Sequence, residues 1–169
     1  MLKGLGLLLI VLAGIGGGTA ACLELNRRAA SLEAARRLIA WMAARLRYTA
    51  APIQEIAAEA AGEPEFARLG FLGEAASAMR EGESPARAWE KAVSAFQAGG
   101  LRAEDKSLLK NFGRGLGRSD LEGQLSHCEA FEELLSGCAA SARTEAGAKG
   151  KLYITLGVAG GLCAALLLL

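Results

Sequence analysis

The chain is 169 residues long, 52% hydrophobic, 5% aromatic and 22% charged, which leaves room for one ordinary domain and excludes a disordered polypeptide. Its 19 basic and 18 acidic residues nearly cancel, and with so few aromatic rings this argues against a stacking platform or an electrostatic track for nucleic acid. The charges are unevenly placed: only Lys3 lies in the first 23 positions, and none lies after Lys151.

Residues 4–23 are an uncharged run of 20, which at about 1.5 Å per residue reaches the roughly 30 Å of a bilayer core. Residues 152–169 add 18 more uncharged positions and end in four leucines. The expected organisation is therefore an amino-terminal transmembrane helix over 1–23, a helical domain over 24–151 and a carboxy-terminal transmembrane helix over 152–169. Arg27, Arg28, Lys149 and Lys151 flank the spans on the domain side and only Lys3 stands on the other, so the positive-inside rule predicts a cytoplasmic domain. The rival is a secretory leader: Thr19, Ala20 and Ala21 before Cys22 look like a bacterial lipoprotein signal, which would make this an exported lipoprotein or envelope adaptor acylated at Cys22. Thr19 stands there where Leu is usual, and the second span would then break the charge rule. Gly14 with Gly18, and Gly157 with Gly161, are small-xxx-small pairs that fit close packing of the spans, on each other or between copies in a homo-oligomer. The abundance of glycine in membrane helices accounts for them equally well.

Between the spans every signal is helical, and the predicted fold class is an all-α bundle whose long first and last helices run into the two membrane helices. In the first helix Leu32, Ala35, Ile39, Met42 and Leu46 recur at three and four residues, while Arg27, Arg28, Arg36, Arg37, Arg45 and Arg47 occupy the other faces. The helix is expected to end near Thr49, with Pro52 opening a second that runs to about Gly62. A third is expected from the Glu63-Pro64-Glu65 segment through Met79. A fourth, capped by Ser84 before Pro85, carries Trp89, Val93 and Phe96 to Gly99 and Gly100. A short fifth spans about 104–112 before Gly113, Gly115 and Gly117. Ser119 is the predicted N-cap of the last helix, with Glu122 completing a capping box. Leu121, Leu125, Cys128, Phe131, Leu135, Cys138 and Ala142 then form its apolar stripe, which is expected to pack on that of the first helix as a stalk carrying the shorter helices as a cap. Glu122, Glu129 and Glu133 lie on one side of this helix and suit either the arginines of the first helix or a protein partner.

Chemistry is not legible in these residues. His127 is the only histidine, which excludes a His pair and makes a surface or partner role the expectation. Cys128 and Cys138 are about 15 Å apart along one helix and cannot share a zinc ion or a disulfide. The glycines at 113, 115 and 117 follow no strand and lack the spacing of a phosphate loop, so no nucleotide, metal or other cofactor is expected and no catalytic residue is assigned.

The whole chain resembles the stage III sporulation protein AB family. Tyr48 followed by Ala51-Pro52-Ile53 looks like the family's Tyr-x-x-Thr-Pro-Leu turn, and Ala88-Trp89-Glu90 looks like its tryptophan segment. Leu109, Phe112, Gly113, Leu116, Gly117, Asp120 and Gln124 are similar, with the same gaps, to its most distinctive motif. Ala51 departs from the usual Thr and Arg45 from an acidic residue. The resemblance implies a component of the channel apparatus between mother cell and forespore, set in the mother-cell membrane around the forespore with its domain facing the mother-cell cytoplasm. The family in turn is similar to the inner-membrane platform of type II secretion and type IV pilus machines. That implies a non-enzymatic part that docks a secretion-type ATPase like stage III sporulation protein AA, alongside other channel components. Phe112, Gly113, Leu116, Gly117, Asp120 and Gln124 are then a turn that serves as core or as docking surface.

Overall fold

The computed structural model describes the backbone of residues 2–167 and the side chains of 12–161, 163 and 164. Among these residues it is all-helical: α1 (Leu2–Thr49), α2 (Ile53–Gly62), a 3₁₀ turn (Pro64–Phe66), α3 (Phe71–Arg80), α4 (Pro85–Ala95), α5 (Ala103–Gly115) and α6 (Leu121–Leu167). Two compact units divide the chain, one of residues 1–29 with 141–169 and one of residues 30–140. Among the described residues no helix has a stretch long and apolar enough to cross a membrane. The expected spans at 4–23 and 152–169 reach into positions whose side chains lie outside the described set.

In the unit of residues 30–140, the α1 stripe Leu32, Ala35, Ile39, Met42 and Leu46 is buried along its full length, as its 3.6-residue period requires. Helices α2 to α5 pack in succession, α2 on α3, α3 on α4 and α4 on α5. A chain of edge-to-face rings joins α3, α4, α5 and α6: Phe96 meets Phe71, Phe71 meets Trp89 at 5.2 Å, Trp89 meets Phe112 at 5.4 Å and Phe112 meets Phe131. Of the α6 stripe, Cys128 and Leu135 are buried here, whereas Leu121 is exposed. Arginines of α1 meet acids of other elements: Arg36 with Glu132 at 2.8 Å, Arg47 with Glu129 at 3.2 Å, Arg37 with Glu65, and Arg45 with Glu59. Glu122 and Glu133 make no such pair.

Several boundaries differ from the sequence expectation, each for a packing reason. The third helix does not run from 63 to 79. Pro64 opens a 3₁₀ turn that buries Phe66, Leu69 N–H returns to the Phe66 carbonyl at 2.8 Å, and regular helix begins only at Phe71. With Phe66 and Leu69 both buried, the tighter three-residue turn puts them on one side. Ser84 occupies the N-cap of α4 but makes no side-chain cap bond, and Phe96 lies beyond the helix in extended backbone. Helix α5 starts with Arg102 N–H donating to the buried Asp105 carboxylate at 2.9 Å and continues three residues past Phe112.

The unit of residues 1–29 and 141–169 is built on the four glycines singled out above. A Cβ on Gly14 would lie 2.5 Å from the Gly157 carbonyl oxygen and 3.1 Å from the Gly161 Cα, and one on Gly18 would lie 2.5 Å from the Tyr153 carbonyl oxygen. These are backbone-to-backbone contacts that only hydrogen side chains permit. Polar side chains here bond back to their own helix backbone: Thr19 Oγ1 donates to the Gly16 carbonyl, Thr155 Oγ1 to that of Lys151, and Asn26 Nδ2 to that of Cys22. Arg28 is buried rather than on a solvated face, and its guanidinium holds Glu145 at 3.1 Å while Lys149 reaches the other carboxylate oxygen at 2.8 Å. Two cations around one carboxylate keep a buried charge paired.

Candidate functional site

The α5–α6 turn is shaped by two rings. Gly113 is inside α5, not at its end: a Cβ there would sit 2.2 Å from Trp89 Cδ1. The fully buried Trp89 is held by its Nε1–H, which donates to the Leu109 carbonyl at 2.9 Å. Gly115 does the same for His127, whose Cε1 and Nε2 would lie 2.3 Å from an added Cβ. His127 is therefore half-buried against the turn; its ring stacks on Phe112 with centroids 5.3 Å apart and 10° between planes. Nε2 lies 2.8 Å from the Phe112 carbonyl, which can only accept, so the ring satisfies one of the last-turn carbonyls that α5 leaves without an internal partner.

Past Leu116, which is buried, Gly117 adopts φ +70°, the left-handed conformation that reverses the chain after a helix. Gln124 then clasps the turn. Its Nε2 donates to the Gly115 carbonyl at 2.9 Å and to Ser119 Oγ at 2.8 Å, and its Oε1 accepts from Gly117 N–H at 3.2 Å. The N-cap of α6 is Asp120, one residue later than expected: its Oδ1 accepts from Gly123 N–H at 3.0 Å, and Ser119 serves Gln124 instead. Gly123 suits this because a Cβ would crowd Ser119 at 2.8 Å.

At the α1–α2 turn Ala50 has φ +48°, uncommon for a residue with a side chain, and its N–H bonds the Leu46 carbonyl at 3.1 Å. Thr49 Oγ1 donates to the Arg45 carbonyl and accepts from Ala51 N–H at 3.2 Å, while α2 has no side-chain cap bond at its start. Pro52, extended at ψ 145°, leads directly into α2.

The two turns, far apart in sequence, line one surface cleft of about 360 Å³. Leu46, Ala50 and Pro52 come from one side, Gly117, Leu121 and Gln124 from the other, and Pro85 joins them from the start of α4. Tyr48, in the same turn as Ala50, is 86% exposed, and Leu121 is 43% exposed. No acid, base or thiol lines the cleft, so it offers apolar contact and hydrogen bonds, not proton transfer. Among the described residues no cluster of His, Cys, Asp or Glu has the makings of a metal site. Of the expected motif, Phe112, Gly113 and Leu116 face the core, Asp120 and Gln124 hold the turn, and Pro52, Gly117 and Gln124 reach the cleft. Pro85 was not foreseen, and nothing local in the sequence ties it to either turn.

Burial pushes the Cys128 thiol up to about 11, helped by Glu129 and Glu132. It is thus a neutral thiol at pH 8, and the folded chain is expected to leave Cys128 unmodified by maleimide while Cys138 reacts; mass spectrometry of tryptic peptides before and after denaturation checks this.

The family model of stage III sporulation protein AB matches residues 3–169, essentially the whole chain. No curated protein and no solved structure matches it. The chain therefore belongs to the stage III sporulation protein AB family, and its role lies in sporulation.

Proposed function

We propose that this member of the family is a non-enzymatic platform, anchored by both ends in the mother-cell membrane around the forespore, that docks a secretion-type ATPase of the same apparatus. One observation carries the reading: two separate turns, each resembling a family motif, meet at a cleft lined by the exposed Leu121, and the exposed Tyr48 belongs to one of those turns. An exposed tyrosine on a turn that helps form a concavity is of the residue type enriched at binding hot spots. Membrane insertion of the ends is supported by the uncharged runs at 4–23 and 152–169, by the glycine contacts, and by the hydroxyls of Thr19 and Thr155, which donate to carbonyls of their own helices. The basic flanks support a domain in the mother-cell cytoplasm, where an ATPase is available.

The test uses the full chain in membranes with its cognate ATPase. Tyr48→Ala combined with Leu121→Ser is expected to weaken co-isolation at least about tenfold, the scale of one lost hot spot, without lowering the melting temperature of the chain. Wild-type binding by this variant would sink the proposed docking surface. In intact cells a membrane-impermeant maleimide should leave Cys138 unlabelled until the membrane is opened. Labelling before opening would put the domain outside, as acylation at Cys22 requires.

A further inference from the structure

The near-neutral composition conceals a separation of charge. Residues 53–83 hold seven acidic and two basic side chains, whereas residues 102–118 hold five basic and two acidic. The acidic stretch contributes one wall of a shallow groove of about 300 Å³ between α3 and α4. Ala78, Ala88, Ala92 and Ala95 line it, and Glu74 and Glu81 stand along the α3 wall. Glu74 is exposed and makes no ion pair among the described residues, and the Glu81 carboxylate accepts from the Ser77 hydroxyl at 3.5 Å. Lys91, on the opposite wall, is turned toward Glu83 at 3.9 Å. An alanine floor lets a helix backbone approach closely, and free carboxylates on its rim suit a helix with basic residues.

Helix α5 has that character. Lys106, Lys110 and Arg114 recur every four residues along one face. Among the described residues Lys106 and Lys110 form no salt bridge, although Lys110 adds to the positive field at Glu90, which Arg114 engages at 2.9 Å. Glu74 and Glu81 are about 10.5 Å apart along α3, and Lys106 and Lys110 lie about 6 Å apart on α5 with Arg114 a further 6 Å on, so the basic ridge spans both carboxylates in one seating.

We propose that α5 of one copy seats in the α3–α4 groove of a second copy, its basic ridge against Glu74 and Glu81. Ridge and groove are different surfaces of one chain, so the contact is head-to-tail. Each added copy presents another free groove or ridge, and the assembly closes as a ring or extends as a filament. This stands apart from the cleft formed by the two turns, which shares none of these residues.

Energy transfer between donor- and acceptor-labelled full chains, reconstituted in phospholipid vesicles at low salt, tests it. Wild-type chains are expected to associate, and 0.5 M salt to weaken the association. Lys106→Glu with Lys110→Glu, and separately Glu74→Lys with Glu81→Lys, should each weaken it at least tenfold. An equimolar mixture of the two variants should recover to within threefold of wild type, because each new ridge matches the other's new groove. That recovery also shows that both variants fold. Ala95→Trp, which fills the groove without changing charge, should match the loss seen on reversal. Absence of transfer between wild-type chains, insensitivity to both reversals, or failure of the mixture to recover while each variant keeps a wild-type helical spectrum, overturns the proposal.

Discussion

Gly113→Ala is expected to destabilise the chain by about 3 kcal/mol, although alanine is the better helix former by about 1 kcal/mol. The added methyl would lie 2.2 Å from Trp89 Cδ1 and 2.7 Å from Cγ, so the indole has to move. It cannot move freely. Its N–H is bonded to the Leu109 carbonyl at 2.9 Å, and its faces and edges meet Phe71 and Phe112. Displacement strains three packed rings and leaves a buried donor unsatisfied, each costing about 1–3 kcal/mol. For a unit of this size a net loss near 3 kcal/mol lowers the melting temperature by roughly 10 °C or more, followed by circular dichroism of the full chain in detergent. Gly137→Ala is the control: it is helical with nothing within 4 Å of an added Cβ, and should stabilise by about 0.5–1 kcal/mol. Equal effects of the two substitutions would mean that Trp89 does not occupy the space left at Gly113.

Gly14→Leu or Gly157→Leu should separate the paired ends of α1 and α6. At both positions the obstructing atom is backbone: the Gly157 oxygen is 2.5 Å from a Cβ on residue 14, and the Gly14 oxygen 2.4 Å from one on residue 157. A side chain could rotate away; a helix carbonyl cannot without the helix itself shifting. The same unit supplies a reporter. A Cβ at position 150 would lie 2.9 Å from Cys22 Sγ and 3.9 Å from Cys22 Cβ, within the separation that a disulfide bridges. In a background with Cys128, Cys138 and Cys163 changed to Ser, Gly150→Cys should cross-link to Cys22 nearly completely under mild oxidation in membranes. Adding Gly14→Leu or Gly157→Leu should cut the yield about tenfold. Undiminished cross-linking would show that these glycines are merely frequent, as in any membrane helix.

The self-association proposed for the α3–α4 groove and the ATPase docking proposed for the cleft use separate surfaces, so a platform built this way would be multimeric and still present a cleft on every copy. Heterologous contacts of modest area are reinforced when copies share a membrane, because tethering raises their effective concentration.

The sequence by itself determined the helical class, the order of the elements and the apolar stripe of α1, because these depend on period, proline and glycine, which act within a few residues. It also singled out the residues of both turns as a group. Only the tertiary structure decided what those residues do. Gly113 and Gly115 both read locally as a helix end, yet α5 runs through Gly113 and stops only at Gly115, and the missing Cβ atoms are replaced by rings that arrive from α4 and α6. Gln124 is an ordinary polar position on α6 until the turn folds back and offers it the Gly115 carbonyl and the Gly117 N–H. Arg28 looks like one more surface charge, and is buried beside Glu145, a carboxylate more than a hundred residues away that also holds Lys149. The α3 break follows from burying Phe66 and Leu69 together, a demand of the core that no local propensity expresses. Local pattern sets what a segment can become, and the partner that fills or empties a neighbouring volume sets which of those outcomes is realised.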